Sequence, residues 1–351
     1  MKGRLSGLVF AMISQQTRQT SSSGKAIEMQ TPNTAPESDS AEYRAATQAA
    51  GFARQADATL IEISGSDRAS FLHNLCTNNI IGLAPGEGCE LFLTDVQGKT
   101  IGHGFALVGS RSIVLSTVPQ QAERLLLHLD RYLIREDVQL ADRTGAWQQW
   151  LLVGPQAEEA CRNCLDTKIP RRPFDQLECG FGNKSVHLSR TDFYGAYGFL
   201  LRCEEDNDPS LFESLCNVAT ECGPQTIETL RIEAGTPAYD VDITANNFPQ
   251  EIGRDARALS FTKGCYLGQE TIARIDALGH VNRQLCRLRF LDAEVPQADV
   301  PLEDGGQSVG QVTSAVYSPQ YGCPLAFALL KRGHTQAGKQ LESQVGPAEV
   351  L

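Results

Sequence analysis

The stretch Lys263-Gly264-Cys265-Tyr266-Leu267-Gly268-Gln269-Glu270 holds the densest set of reactive side chains in the chain. A thiol stands between two glycines, shortly after a lysine. Glycine lets the backbone turn sharply and approach a ligand closely. A nearby ammonium favours thiolate over thiol, and thiolate is the form that attacks electrophiles and binds soft metals. Gln269 and Glu270 add an amide and a carboxylate that can hydrogen-bond into the same place. Two readings stand side by side. Either Lys263 and Cys265 form a reactive pair, or Cys265 packs in a tight turn, as free cysteines often do.

The elements that must position this stretch follow from hydrophobic period. Residues 59–63 alternate like a strand, and Asp67 can cap a helix carrying Phe71, Leu72 and Leu75. Strands are expected at 90–94, 100–108 and 112–118. An amphipathic helix follows at 120–133, with Leu125, Leu126, Leu129 and Leu133 at helical spacing. Strands at 147–153, 186–190 and 198–203, with helices at 156–165 and 209–222, suggest a mixed βαβ-like run. Residues 271–276 read as helix. The last section changes character: strands at 285–291, 310–317 and 325–331, separated by Gly- and Pro-bearing turns, read as a small all-β module.

Length and composition bound the answer. A chain of 351 residues with 41% hydrophobic content is long for one core and rich enough to bury several. Its net charge is −11, and because residues 1–27 carry Lys2, Arg4, Arg18 and Lys25 without an acid, the remainder carries −15. So acidic a body is a poor fit to bulk nucleic-acid binding. The eleven cysteines are scattered and unlike a disulfide framework, which suits reduced thiols in the cytoplasm. Cys161 and Cys164 are spaced C-x-x-C but lie in a helical run without a partner pair, so no metal site is expected. Residues 1–40 read as a disordered extension; 5–13 is too short an apolar patch to span a bilayer, and no other run comes near that length. Basic, Ser-rich and acid-poor composition up to Glu28 also suits a transit peptide to the mitochondrial matrix. A plain extension ahead of a start at Met29 is the preferred reading.

The motif from Lys263 to Glu270 resembles the signature of the YgfZ-type folate-binding proteins, relatives of the glycine-cleavage T-protein, an aminomethyltransferase. Similar segments occur in the family's order. They are Phe71-Leu72-His73-Asn74-Leu75-Cys76-Thr77-Asn78-Asn79-Ile80, Leu91-Phe92-Leu93-Thr94 with Gly98-Lys99, Arg190-Thr191-Asp192-Phe193-Tyr194-Gly195, and Leu230-Arg231-Ile232-Glu233-Ala234-Gly235. The resemblance spans about residues 43–341. It implies an α+β fold with interwoven α/β modules around a central folate-type hole (41–283), followed by a small C-terminal β-barrel (284–351). It implies tetrahydrofolate or a derivative as cofactor, with Arg231 and its neighbour Tyr239 facing it alongside Gln269 and Glu270, and Cys265 with Lys263 as the reactive pair. The function implied is assistance to iron–sulfur cluster assembly or repair, with client enzymes or cluster-assembly proteins as partners. The alternative is an aminomethyltransferase-like one-carbon transferase. An ion pair of Arg231 with Glu228 or Glu233 on its own helix competes with the pocket role.

Departures from the T-protein pattern bear on that choice. Its acidic pair after the hairpin glycines is replaced by Ile101-Gly102-His103, and a further glutamate by Ala196. His103 can handle a proton near neutrality. Asp95, close in sequence, is expected to face another way along the hairpin.

Overall fold

The computed structural model describes residues 40–204 and 209–351. The expectations for residues 1–39, including the transit peptide, lie outside the described residues.

The described residues open with α1 (Ala41–Gln48) and β1 (Gly51–Arg54). The chain then builds a sheet from β2 (Thr59–Ser64), β3 (Gly88–Thr94), β4 (Thr100–Val108), β5 (Ser112–Thr117) and β6 (Gln139–Asp142). Helices α2 (Arg68–Leu75) and α3 (Ala122–Asp130) cover it. The order is β3-β4-β5-β2-β6, antiparallel throughout. The chain continues with β7 (Trp147–Val153), α4 (Ala157–Leu165), β8 (Gln176–Phe181), β9 (Lys184–Thr191), β10 (Gly198–Glu204), α5 (Ser210–Val218) and β11 (Thr220–Glu221). These form a second sheet of order β11-β1-β7-β10-β9-β8. Because β1 belongs to the second sheet while the next strands build the first, the two modules are interwoven.

Helices α6 (Pro224–Glu233), α7 (Asp255–Ala258) and α8 (Gln269–Leu278), with a 3-10 turn at Pro249–Ile252, lead to the barrel. Its strands are β12 (Arg283–Phe290), β13 (Pro301–Asp304), β14 (Gln307–Ser318), β15 (Cys323–Lys331), β16 (Gln340–Leu341) and β17 (Ala348–Val350). The order is β13-β14-β15-β12-β17-β16. Reciprocal backbone bonds between Glu303 and Glu342, 2.9 and 2.8 Å, join the two outer strands. Closure leaves few unpaired edge groups, the usual remedy for a small sheet.

Three expectations about the elements are corrected. The helix expected at 209–222 runs only over Ser210–Val218, and the short strand β11 follows it. The middle region is not βαβ-like: β7, β10, β9 and β8 pair antiparallel, and the parallel contact in that sheet is the short one between β1 and β11. Apolar runs specify a strand but not its direction, and Gly182 at φ 58° turns β8 straight back into β9. The helix expected at 120–133 is trimmed to α3, because Tyr132 and Leu133 donate to the carbonyls three residues back, which tightens the last turn.

Alternation along the strands divides the interior. On β4, Ala106 and Val108 face the core under α2 and α3, whereas Phe105 and Leu107 face the second sheet. On β10, Phe199, Leu201 and Cys203 face α4 and α5, whereas Leu200 joins Phe105 and Leu107 between the sheets. A separate core fills the barrel around Leu288, Phe290 and Val312. Another, around Phe92, Tyr239 and Phe327, packs the barrel strands against the first sheet and the segment after α6. No helix among the described residues is long and apolar enough to cross a membrane.

Candidate functional site

A buried ionic cluster forms where β3 and β4, the turn after β9 and α7 converge. Its centre is Glu90 on β3, which is 1% exposed. His103, diagonally across on β4 where it pairs with Phe92, lies 2.8 Å away through Nε2; a carboxylate only accepts, so Nε2 carries the hydrogen. Arg254 grips both oxygens of Glu90 through Nε and Nη2 at 2.7 Å, and Arg257 adds a bond from Nε at 2.8 Å. Arg257 then reaches Asp192, after β9, with both Nη groups at 2.6 and 2.7 Å. Burial alone would raise the Glu90 pKa, but His103 and Arg254 overcome it and bring it down to about 2. The carboxylate is therefore ionised and saturated with donors.

Aromatic rings wall the same place. Phe193, partly exposed, stacks toward His103 and contacts Phe105 and Phe174 at centroid distances of 5.6 and 5.5 Å. The Arg254 guanidinium lies 5.7 Å from the Phe193 ring centre. No hydrogen bond ties Arg254 Nη1 among the described residues. Flat rings with an unused guanidinium edge suit a planar ligand that carries acidic groups.

Local sequence explains the assembly. The hydroxyl of Thr77 receives the Phe92 amide at 2.9 Å and donates to the Ala258 carbonyl at 2.6 Å. The amide of Asn78 donates to the carbonyls of Glu90 and Arg257, both at 2.8 Å. The segment after α2 thus pins α7 against β3, and so fixes both arginines.

The Lys263–Glu270 stretch is anchored to the same two elements. The Lys263 ammonium donates to the carbonyls of His73, Cys76 and Asn78, which satisfies the open end of α2. Burial lowers its pKa, opposed by the nearby Cys76 and Cys89 thiols. The ammonium is thus committed to backbone carbonyls. Gln269 accepts the Tyr266 amide at 3.1 Å and so shapes the turn. Cys265 and Glu270 are exposed. Gly268, at φ 80°, meets Gly98 of the β3–β4 turn, at φ 78°. A Cβ on Gly268 would lie 2.5 Å from the Asp95 carbonyl oxygen, and one on Gly98 would lie 3.0 Å from Thr271. Asp95 itself accepts the amides of Gln97 and Lys99, both at 2.8 Å, so its carboxylate shapes the turn.

Arg231 and Tyr239 are placed differently from the expectation. Arg231 is 6% exposed and bonds Glu228 twice, Asp242, the Thr236 carbonyl and Ser314. Every N–H of that guanidinium is engaged inside the protein, as the ion-pair reading with Glu228 foresaw. Tyr239 donates to the Thr100 carbonyl at 3.0 Å and receives a bond from Arg124 at 3.1 Å. Both residues tie modules together and leave no donor turned to a ligand.

Sequence reading missed Glu90, Arg254 and Arg257. A carboxylate opening the apolar run Leu91-Phe92-Leu93 was the one available signal; the short helix holding the arginines has no distinguishing period. All eleven cysteines are free, with Cys216 and Cys265 the exposed ones. No cluster of His, Cys, Asp or Glu among the described residues could hold a metal ion.

Interwoven sheets and a closing barrel, with an ionic cluster between the modules, define a T-protein-type architecture. The chain belongs to the GCVT family. Residues 12–262 match the GCVT N-terminal domain and residues 283–350 the glycine cleavage T-protein C-terminal barrel domain. The glycine cleavage system aminomethyltransferase T from Bartonella henselae superposes with a TM-score of 0.80 at 17% identity, covering 88% of this chain and 87% of that one. An aminomethyltransferase of Bacillus pumilus is 25% identical over 297 residues, 81% of this chain and 80% of its own. A candidate chloroplastic transferase of Arabidopsis thaliana is 27% identical over 257 residues, 72% of this chain; the match spans 59% of that protein's length.

Proposed function

We propose that the chain binds a reduced folate at the wall formed by Phe193, His103 and Arg254, and acts as an aminomethyltransferase-like, tetrahydrofolate-dependent protein. The donor set is the observation that carries the reading: partly exposed Phe193, with an unengaged Nη group of Arg254 beside it. The aminomethyltransferases of this family use tetrahydrofolate, which supports the choice of ligand. Bound tetrahydrofolate would supply nitrogen nucleophiles that carry a one-carbon unit. Phe193 would stack on its ring system, and Arg254 would pair with an acidic group.

One feature favours a second reading, a YgfZ-type role in iron–sulfur cluster assembly or repair. The buried carboxylate Glu90 is saturated, His103 Nε2 is committed to it, and position 102 is a glycine. A Cβ at Gly102 would meet Leu125 at 2.9 Å, so an acid there would face the α3 core instead. General acid–base help is commonly worth about 100- to 10,000-fold, so aminomethyl transfer without it is slow. The exposed Cys265 then becomes the group of interest, for contact with cluster-assembly proteins or client enzymes.

Titration calorimetry with tetrahydrofolate tests the shared part. Arg254→Met is expected to weaken binding about tenfold or more, the loss of one charge-assisted hydrogen bond; equal affinity would remove Arg254 from the site. Turnover of an aminomethyl donor separates the two functions. Measurable turnover retained by Cys265→Ser supports the transferase. No turnover, with loss of iron–sulfur enzyme activities that Cys265→Ser fails to restore in a deletion strain, supports the cluster role.

A further inference from the structure

A cavity of about 680 Å³ lies away from the Glu90 cluster and shares no lining residue with it. It opens between the far ends of the two sheets, where the inter-sheet core of Phe105, Leu107 and Leu200 runs out. Two residues beyond Leu200 on β10, and so on the same face, stands Arg202. Arg202 is 4% exposed, yet its Nε has no hydrogen-bond partner, and no carboxylate among the described residues forms an ion pair with it.

Among the described residues, what surrounds this guanidinium does not neutralise it. It lies 4.9 Å from the centre of the Trp147 ring, a favourable contact but a weak one beside a full ion pair. Its acidic neighbour Glu62 is already bound by Arg143 through Nε and Nη2 at 2.9 and 2.7 Å. Burial pulls the Arg202 pKa down to about 10, with Glu62 opposing only in part. His187, also on the wall, has its pKa lowered by burial and then by the Arg202 charge. Arg231 shows the contrast: it is similarly buried, and every donor is matched. A buried, unpaired charge is costly unless something completes it.

We propose that this cavity is a second ligand site, for a small organic oxyanion whose carboxylate or phosphate pairs with Arg202 while its body rests on Trp147. The volume suits a metabolite-sized molecule, and guanidinium grips either group through paired N–H bonds. Glu62, Glu178 and Glu204 line the cavity together with Arg111 and Lys184, so both signs of charge border the ligand, and the buried Arg202 is the cation that reads its head group.

The test uses the full chain with inorganic phosphate and citrate as probes, at constant ionic strength. At least one probe is expected to raise the melting temperature of the wild type and to shift the Arg202 Nε–H and Trp147 indole N–H resonances. Arg202→Met is expected to bind that probe at least tenfold more weakly, while Arg202→Lys keeps part of the response. Without a probe, Arg202→Met should melt no lower than the wild type, because it removes an unpaired charge. Response to phosphate alone assigns the head group as phosphate, and to citrate alone as carboxylate. No resonance shift with either probe, or a response unchanged in Arg202→Met, overturns the proposal. The resonance readout decides the matter even if that variant does not fold. Since Arg202 lies outside the Phe193–Arg254 wall, tetrahydrofolate affinity is expected to survive the substitution, so the two sites fail or stand separately.

Discussion

Arg231→Met is expected to lower the unfolding free energy by about 3–5 kcal/mol, the usual cost of removing one partner from a buried ion pair. The reason is Asp242, which is 2% exposed and bonds Arg231 at 2.7 Å. Without the guanidinium, Asp242 keeps its bonds from Thr313, Ser314 and the Ala238 amide, but as a buried anion with no counter-charge. Loss of the Ser314 contact also uncouples α6 from β14. Urea denaturation reads the effect, and Asp242→Asn in the same chain should recover part of it. Tetrahydrofolate affinity of the folded protein should stay within about twofold, a shift under 0.5 kcal/mol. A tenfold loss of affinity at unchanged stability would return Arg231 to the ligand site.

Glu90→Gln is expected to be comparably damaging, about 3–5 kcal/mol, because Arg254 loses the carboxylate that holds it and Arg257 keeps only Asp192. The pH dependence has a definite sign. The folded-state pKa of Glu90, about 2, lies below its ordinary value of 4.5. Its stabilisation is therefore complete above about pH 4.5 and is lost as pH falls from there through about 2. The wild type should lose about 3 kcal/mol more than Glu90→Gln over that window, since a shift of one pKa unit is worth about 1.4 kcal/mol. Parallel stability curves for the two proteins between pH 5 and pH 2 would show that Glu90 is not the group responsible.

Much of the fold was legible because its strands alternate against well-filled cores. The residues of β4 and β7 coincide with their expected bounds, and the barrel strands β12, β14 and β15 appear within a few residues of theirs. Strands β1, β6, β11, β13, β16 and β17 escaped notice because each is too short to show a period, and β6 is also poorly buried; the six-residue β8 escaped too, although Leu177, Cys179 and Phe181 alternate along it. The site was less legible. Lys263, Gln269 and Gly268 belong to a recognisable stretch, but Lys263 and Gln269 use their polar groups on backbone, a role that side-chain chemistry does not announce. Glu90 and Arg254 are 164 residues apart, and sequence spacing carries no trace of a pairing made by tertiary packing.

The contact between Gly98 and Gly268 has a consequence for how this protein can vary. A Cβ on Gly268 would press on the Asp95 carbonyl oxygen at 2.5 Å and on the Gly98 Cα at 2.8 Å, and one on Gly98 would meet Thr271 at 3.0 Å and the Gly268 carbonyl oxygen at 3.1 Å, so a side chain at either position crowds the β3–β4 turn against the start of α8. Changes at neighbouring sites are rarely additive, yet each of these glycines also sits at positive φ, so a side chain at either position adds backbone strain of its own. The hairpin turn and the cysteine-bearing stretch are thus held to small residues at the same point of contact.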